Sequence, residues 1–416
     1  MSAAWVAYRL AAGVLGKLAP LAGAFRPGEE RSYFAERLGR FRGAGGFDAW
    51  IHAASLGEAT GVGPLAQALR GRRPGARLLL TATTTSGRAR LAALGHTVAL
   101  APLDVPGGVA RFFAGARPAR LLIVETELWP HWLLHARAAG VPVAVLSARL
   151  SARSLPGYRR LGSGFRGLVR DLEAVLCQSP EDCERWLALG ARPGRTAVAG
   201  NLKNDALPSP SRDRAAARQA LGLDPERPLL VLGSVRPGEV RLLARGWQAL
   251  PTALRRAWQV AAVPRHAAAS AELAAEARAA GQPVASRGIP AEGAWRWENR
   301  TGVLLDYYAA AEVAFVGGTL KPYGGHNPLE PAAAGAAVLL GSYFSSQADA
   351  VRALRERHGA WIASSPRELL LALGGLLGDG AARAAQVAAA LEVVAEQRGA
   401  AARSVDRLAE LGLWPA

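Results

Sequence analysis

EVAFVGGTLKPYGGHNPLEPAAAGAAVLLG, residues 312–341, reads as one strand–helix–strand unit. The run Val313–Val316 is short and wholly apolar, the signature of a strand buried on both faces. Two glycines end it. A second pair, Gly324 and Gly325, lets the backbone take positive φ or approach a ligand closely, and Asn327 is placed to cap a helix beginning at Pro328. An Ala-rich helical stretch then leads to a second apolar run, Ala336–Leu340. Strands joined through a helix in this way lie parallel. The helix start, with free N–H groups behind a glycine turn, favours an anion.

The same rhythm runs through the chain in both directions. AWIHAAS (49–55), RLLLTAT (77–83), TVALAP (97–102), RLLIVE (120–125), PVAVLS (142–147), EAVLCQ (173–178) and TAVAG (196–200) read as buried parallel strands separated by helical patterns. The loop-like stretch NDALPSPSRDR (204–214) follows, and then PLLVLGS (228–234), WQVAAVPRH (258–266), GVLLD (302–306) and the two runs above resume the pattern. The fold class is α/β: two Rossmann-like doubly wound domains facing a central cleft. Expected boundaries are an N-terminal segment 1–25, a first domain 26–204, a hinge 205–214, and a second domain 215–416 that includes the Ala-rich C-terminal helices.

With 50 Lys and Arg against 33 Asp and Glu, the net charge is +17, which calls for an anionic partner. No basic block, zinc-finger spacing or aromatic–basic motif accompanies the charge, so nucleic acid is not expected. Cys177 and Cys183 have neither metal-ligand spacing nor companions. The first 25 residues are apolar but interrupted by Arg9 and Lys17. They make a poor transmembrane span and a poor signal peptide. A helix with a basic side and with Trp5, Leu10, Val14 and Leu18 for apolar contact suits either an anionic membrane interface or packing on the first domain.

Ligands of doubly wound sheets bind beyond the carboxyl ends of the strands. The candidates are therefore Glu58, then Glu125, Thr126 and Glu127, then Asn201 and Lys203 in the first half. In the second half they are Ser234 with Arg236–Glu239, Pro264–His266, and the opening motif through Glu330. Each also has a plain structural reading, such as a helix-terminal acid for Glu58 or a cap for Glu330.

Taken in order, IHAASLGE, VETELWP, LSARLSARSLPGYRRL, GNLKND, GSVRPGE, VPRH and FVGGTLKPYGGHNPLEPAAAGAAVLLG resemble the bacterial 3-deoxy-D-manno-octulosonic acid (Kdo) transferases that glycosylate lipid A precursors. The resemblance covers nearly the whole chain. It implies a glycosyltransferase-B fold, with the acceptor held by the first domain and CMP-Kdo by the second. It also implies inverting transfer at the cytoplasmic face of the inner membrane, with no metal and no cofactor beyond the donor. Glu58 then matches the family's proton acceptor, and Glu125 and Lys203 its transition-state stabilisers. Pro264, Arg265, Gly325, His326, Asn327, Pro328, Leu329 and Glu330 match CMP contacts, with Ser234 and Arg236 near the phosphate. Two departures stand out. Arg236 occupies a position that is usually histidine, and a short stretch containing Met-Gly-Glu is expected to be missing at Asp306. A same-fold transferase with another donor or acceptor, and a non-catalytic binding relative, remain as alternatives; oligomeric state is not legible.

Overall fold

The computed structural model describes residues 2–24, 28–286, 289 and 291–416. Residues 1 and 25 of the N-terminal segment lie outside the described residues. The chain forms two compact units, Met1–Ala206 with Gln397–Ala416, and Leu207–Glu396.

The first unit is built on seven parallel strands: β1 (Ala49–His52), β2 (Leu78–Ala82), β3 (Thr97–Leu100), β4 (Leu121–Val124), β5 (Val143–Ala148), β6 (Ala174–Cys177) and β7 (Thr196–Val198). Their order is β3-β2-β1-β4-β5-β6-β7. Successive residues of a strand face opposite sides of the sheet. Accordingly Trp50, Ile123 and Val145 enter one core with Phe112, Trp132 and Trp186. Ile51, Leu122 and Leu146 enter the other with Leu65 and Leu69. Local signals set the helix ends. In the helix Pro180–Leu189, the Ser179 hydroxyl accepts the Asp182 N–H, Pro180 occupies the first turn, and Gly190 closes the end at φ 119°.

The second unit repeats the plan with β8 (Leu229–Val235), β9 (Gln259–Pro264), β10 (Val284–Ala285), β11 (Trp295–Trp297), β12 (Val313–Val316), β13 (Ala337–Gly341) and β14 (Ala360–Ala363). The order is β10-β11-β9-β8-β12-β13-β14, again all parallel. In both sheets the strand order reverses beside the first strand of the unit, between β1 and β4 and between β8 and β12.

Three expectations are corrected. GVLLD is not a strand: Leu304 begins the helix Leu304–Ala310, whose Tyr307 and Tyr308 are buried beneath the sheet. The strand lies upstream at β11, whose three residues are too few for an apolar run to register. Asp306, where a stretch was expected to be missing, therefore stands inside the helix Leu304–Ala310, and the connection after β11 is Glu298–Val303. Glu298 anchors it by accepting the Arg300 guanidinium at 2.6 Å and the Tyr307 hydroxyl at 3.0 Å.

The C-terminal residues, assigned by sequence to the second domain, belong to the first unit. Gly399 breaks the Ala-rich helix at φ 85°, and Asp205 accepts the N–H groups of Gly399, Ala400 and Ala401 at the next helix start. Val405, Leu408 and Trp414 then fill the core against Leu65 and Leu69, with Trp414 Nε1 donating to the Leu69 carbonyl at 3.0 Å.

The N-terminal helix Ala3–Ala24 has an inner and an outer side. Trp5 is buried against Phe165, and the Tyr8 hydroxyl donates to Asp104 at 2.5 Å. Trp5 therefore does not join Leu10, Val14 and Leu18, which are 67 %, 58 % and 55 % exposed. Among the described residues no helix is long and apolar enough to cross a membrane.

Candidate functional site

In the first unit, the polar groups follow the carboxyl ends of β1 and β4, which flank the point where the strand order reverses, and of the edge strand β7. Ser55 caps the four-residue helix Leu56–Ala59 and accepts the Glu58 N–H. The Glu58 carboxylate in turn accepts the Ser55 hydroxyl at 2.9 Å and the Ala54 N–H at 2.6 Å. This is a capping box closed one residue early. The plain structural reading of Glu58 is thus realised, and it holds the carboxylate in a single orientation. Burial and then the neighbouring Glu125 carboxylate push the Glu58 pKa up, opposed by the two hydrogen bonds and by Lys203. A half-buried carboxylate with a raised pKa is a better proton acceptor than an exposed one.

Glu125 follows β4 with φ 63°, a left-handed conformation uncommon for a residue with a side chain. The twist presents its carboxylate to Lys203 Nζ at 2.5 Å. Lys203 is set by a second left-handed residue, Ser147 (φ 51°), in the bulge of β5. The Ser147 hydroxyl accepts the Leu202 N–H at 3.3 Å, and Asn201 Oδ1 accepts the Lys203 N–H at 3.0 Å. The structure therefore brings Glu58, Glu125 and Lys203 together. Glu127 lies two residues on, in the same turn. Burial, and further the carboxylates Glu58 and Glu125, raise its pKa against the Trp129 hydrogen bond.

In the second unit the equivalent reversal lies between β8 and β12. Ser234 (φ 55°) forms a bulge at the end of β8. A Cβ at position 317 would overlap the Ser234 carbonyl, so glycine there lets the two strand ends close. The residue that builds this corner is Glu239, fully buried, whose carboxylate accepts four backbone N–H groups. These come from Arg236 and Gly318 at 2.9 and 2.8 Å, and from Thr319 and Leu320 at 2.9 Å each. Sequence reading placed Glu239 at a strand end without seeing this. Spacing gives no signal for it, since the helix is capped at Gly238 and Glu239 stands at its first position, not three residues past a cap.

Gly324 and Gly325 take φ 88° and 80°, as the turn requires. Asn327 Oδ1 accepts the Leu329 N–H at 3.1 Å, but the helix starts at Leu329 and runs only to Ala333. Five residues supply little dipole. The cationic groups matter more. The Arg236 guanidinium lies 4.5 Å over the Tyr323 ring with its Nε unpartnered, and Arg265 is exposed at the end of β9, next to Pro264. Burial, then the charges of Arg265, Arg236 and His266, lower the His326 pKa to about 4, which leaves a neutral ring at neutral pH. Glu330 is pushed up by burial, and its Oε1 lies 3.4 Å from Asn327 Nδ2. Among the described residues no group of His, Cys, Asp and Glu is arranged to hold a metal ion.

Two parallel doubly wound units, each with polar groups at the carboxyl ends of its strands, define the two-domain α/β architecture of the glycosyltransferase-B fold. In fold the chain is similar to a UDP-GlcNAc 2-epimerase from Neisseria meningitidis, with TM-score 0.61, 10% identity and coverage of 87% of this chain and 99% of that one. Residues 32–206 match the family model described as 3-Deoxy-D-manno-octulosonic-acid transferase (kdotransferase). The chain is 38% identical to the 3-deoxy-D-manno-octulosonic acid transferase of Bordetella pertussis, covering 86% of each chain, and 29% identical to that of Haemophilus influenzae over the same shares. It belongs to the 3-deoxy-D-manno-octulosonic acid transferase family and is a glycosyltransferase.

Proposed function

We propose that the chain transfers Kdo from CMP-Kdo to a sugar hydroxyl of a lipid A precursor, with inversion at the transferred carbon. The observation that carries this reading is the first unit's constellation: an oriented Glu58 carboxylate of raised pKa beside the Glu125–Lys203 ion pair. Glu58 takes the proton of the attacking hydroxyl as the bond to the Kdo carbon forms and the bond to the CMP phosphate oxygen breaks. Glu125 and Lys203 supply fixed charges of opposite sign for the transition state, an effect worth several kcal/mol when preorganised.

The donor is assigned to the second unit. Arg236 and Arg265 provide positive charge for a single phosphate, and Ser234 and the Gly325–His326 turn line the corner that Glu239 fixes. Asn327 to Glu330 are assigned to the nucleoside, with Pro328 and Leu329 as the wall and Glu330 accepting ribose hydroxyls. Among the described residues no set calls for a metal, and a phosphate monoester leaves as a dianion that two arginines can neutralise.

The first unit also supports attachment to an anionic membrane surface at the cytoplasmic face of the inner membrane. Val6, Leu10, Val14 and Leu18 form an exposed apolar stripe at a spacing of four on the N-terminal helix, and Arg9 and Lys17 lie on the same helix. Incubating the purified chain with CMP-Kdo and a glucosamine-disaccharide lipid tests the function. Glycolipid product with stoichiometric CMP supports it. Binding of CMP without turnover would favour a non-catalytic relative, and turnover with another sugar nucleotide only would favour a changed donor.

A further inference from the structure

The turn after β4 carries a carboxylate to which the mechanism gives no part. Glu127 Oε2 accepts the Trp129 Nε1–H at 2.8 Å, which fixes the indole by its polar edge. Trp129 is 37 % exposed, directly before the helix Pro130–Ala138, and it is not a member of the core cluster on that side of the sheet. An aromatic ring pinned at its polar edge and more than a third exposed can serve as a platform for the C–H face of a sugar, and a carboxylate beside it is an acceptor for hydroxyls.

Behind Glu127 lies a chain of wholly buried groups. Trp50 Nε1 can only donate, and it does so to Thr81 Oγ1 at 2.7 Å. The same hydroxyl is 2.9 Å from His52 Nδ1 and can serve that nitrogen as donor or as acceptor. Burial, reinforced by Arg37, lowers the His52 pKa to about 3, and the ring is neutral. Nε2 has no partner and points toward Glu127, 4.0 Å from Oε2. A fully buried ring nitrogen left unpaired is costly unless the group it faces, or a ligand, completes it.

Charge narrows the ligand. Glu58, Glu125 and Glu127 gather near Lys203, which is already paired with Glu125. The local excess is negative, so an anionic group is disfavoured there and a neutral polyol is not.

We propose that Glu127 and Trp129 form the subsite that seats the acceptor's sugar ring. Glu127 Oε1 accepts a hydroxyl adjacent to the one that attacks, and the indole covers the ring's apolar face. The inference rests on the reading that the chain transfers to a sugar hydroxyl.

Its test is steady-state transfer by the full chain with the acceptor varied, on wild type, Glu127→Gln, Trp129→Ala and Trp129→Phe. Calorimetric titration of the deacylated acceptor disaccharide runs alongside. Glu127→Gln and Trp129→Ala raise the acceptor KM about tenfold or more, leave the donor KM unchanged, and hold kcat within about threefold. They weaken disaccharide binding to the same degree, and Trp129→Phe, which keeps a ring face, recovers most of both. An unchanged acceptor KM in the first two variants overturns the subsite. So does a fall in kcat at constant KM for Glu127→Gln, which would make Glu127 a catalytic group. A wild type that binds the disaccharide through these residues yet transfers nothing would sink the function beneath while sustaining the subsite.

Discussion

Replacing Glu239 by glutamine changes one atom at a corner where four backbone N–H groups meet a buried carboxylate. The amide retains one acceptor oxygen. Its NH2 faces the two N–H groups that the other oxygen served, and no water reaches a fully buried side chain. Each buried donor left unsatisfied costs about 1–3 kcal/mol. The neutral amide recovers part of the carboxylate's desolvation cost, so the net loss is about 3 kcal/mol. In a domain of about 150–250 residues each kcal/mol lowers Tm by roughly 2–4 °C, which gives a fall of roughly 6–12 °C for the second unit's transition. Differential scanning calorimetry reads the shift, and hydrogen exchange of the Gly317–Tyr323 segment should lose protection selectively. The exposed Glu272→Gln, on the helix Ser270–Ala279, is the control and should stay within about 0.5 kcal/mol. A Glu239→Gln variant melting with wild type, with the segment still protected, would refute the idea that this carboxylate organises the corner.

Three further outcomes follow from the same geometry. Lys203→Met should lower kcat far more than it raises either KM, and combining it with Glu125→Gln should be strongly non-additive because the two form one ion pair; additive losses would contradict a shared role. Changing the exposed Leu10, Val14 and Leu18 together to serine should abolish flotation with anionic liposomes and leave Tm unchanged. This tests the stripe better than truncation, which would also remove the buried Trp5; persistent flotation would contradict the assignment. Arg236→His should weaken CMP binding and flatten its salt dependence, since a permanent charge is replaced by one largely absent at neutral pH; calorimetry at two salt concentrations that finds no change would remove Arg236 from the phosphate site.

Continuous apolar runs made the central strands of both sheets legible, because a strand buried on both faces has no polar alternation to confuse it. The two shortest strands of the second sheet escaped for the opposite reason. β11 is Trp-Arg-Trp and β10 is two residues long, so neither makes a run, and GVLLD imitated one while serving as a helix entry. The last helix was misassigned because the alanine pattern runs on across residues 380–410. The break is made by Gly399 and by a carboxylate, Asp205, that is distant in sequence. Glu58, Glu125 and Lys203 were found by their places after strands. Glu127 and Glu239 stood in the same turns, but what distinguishes them is a buried histidine in one case and a set of backbone amides in the other. Tertiary contacts of that kind leave no spacing to read. Left-handed φ at Glu125, Ser147 and Ser234 was likewise invisible, since none of the three is a residue type that announces it.

The central claim, that Glu58 is the base for transfer of Kdo to a sugar hydroxyl, is tested most directly by the pH profile of kcat/KM for wild type and Glu58→Gln with CMP-Kdo and the disaccharide lipid. The base must be deprotonated, and its pKa is raised by burial and by Glu125. Activity should therefore fall with decreasing pH through a limb above the ordinary glutamate value of about 4.3. Glu58→Gln should lose turnover by at least about a hundredfold, lose that limb, and still bind CMP like wild type. A glutamine variant that retains turnover together with the acid limb would contradict the account.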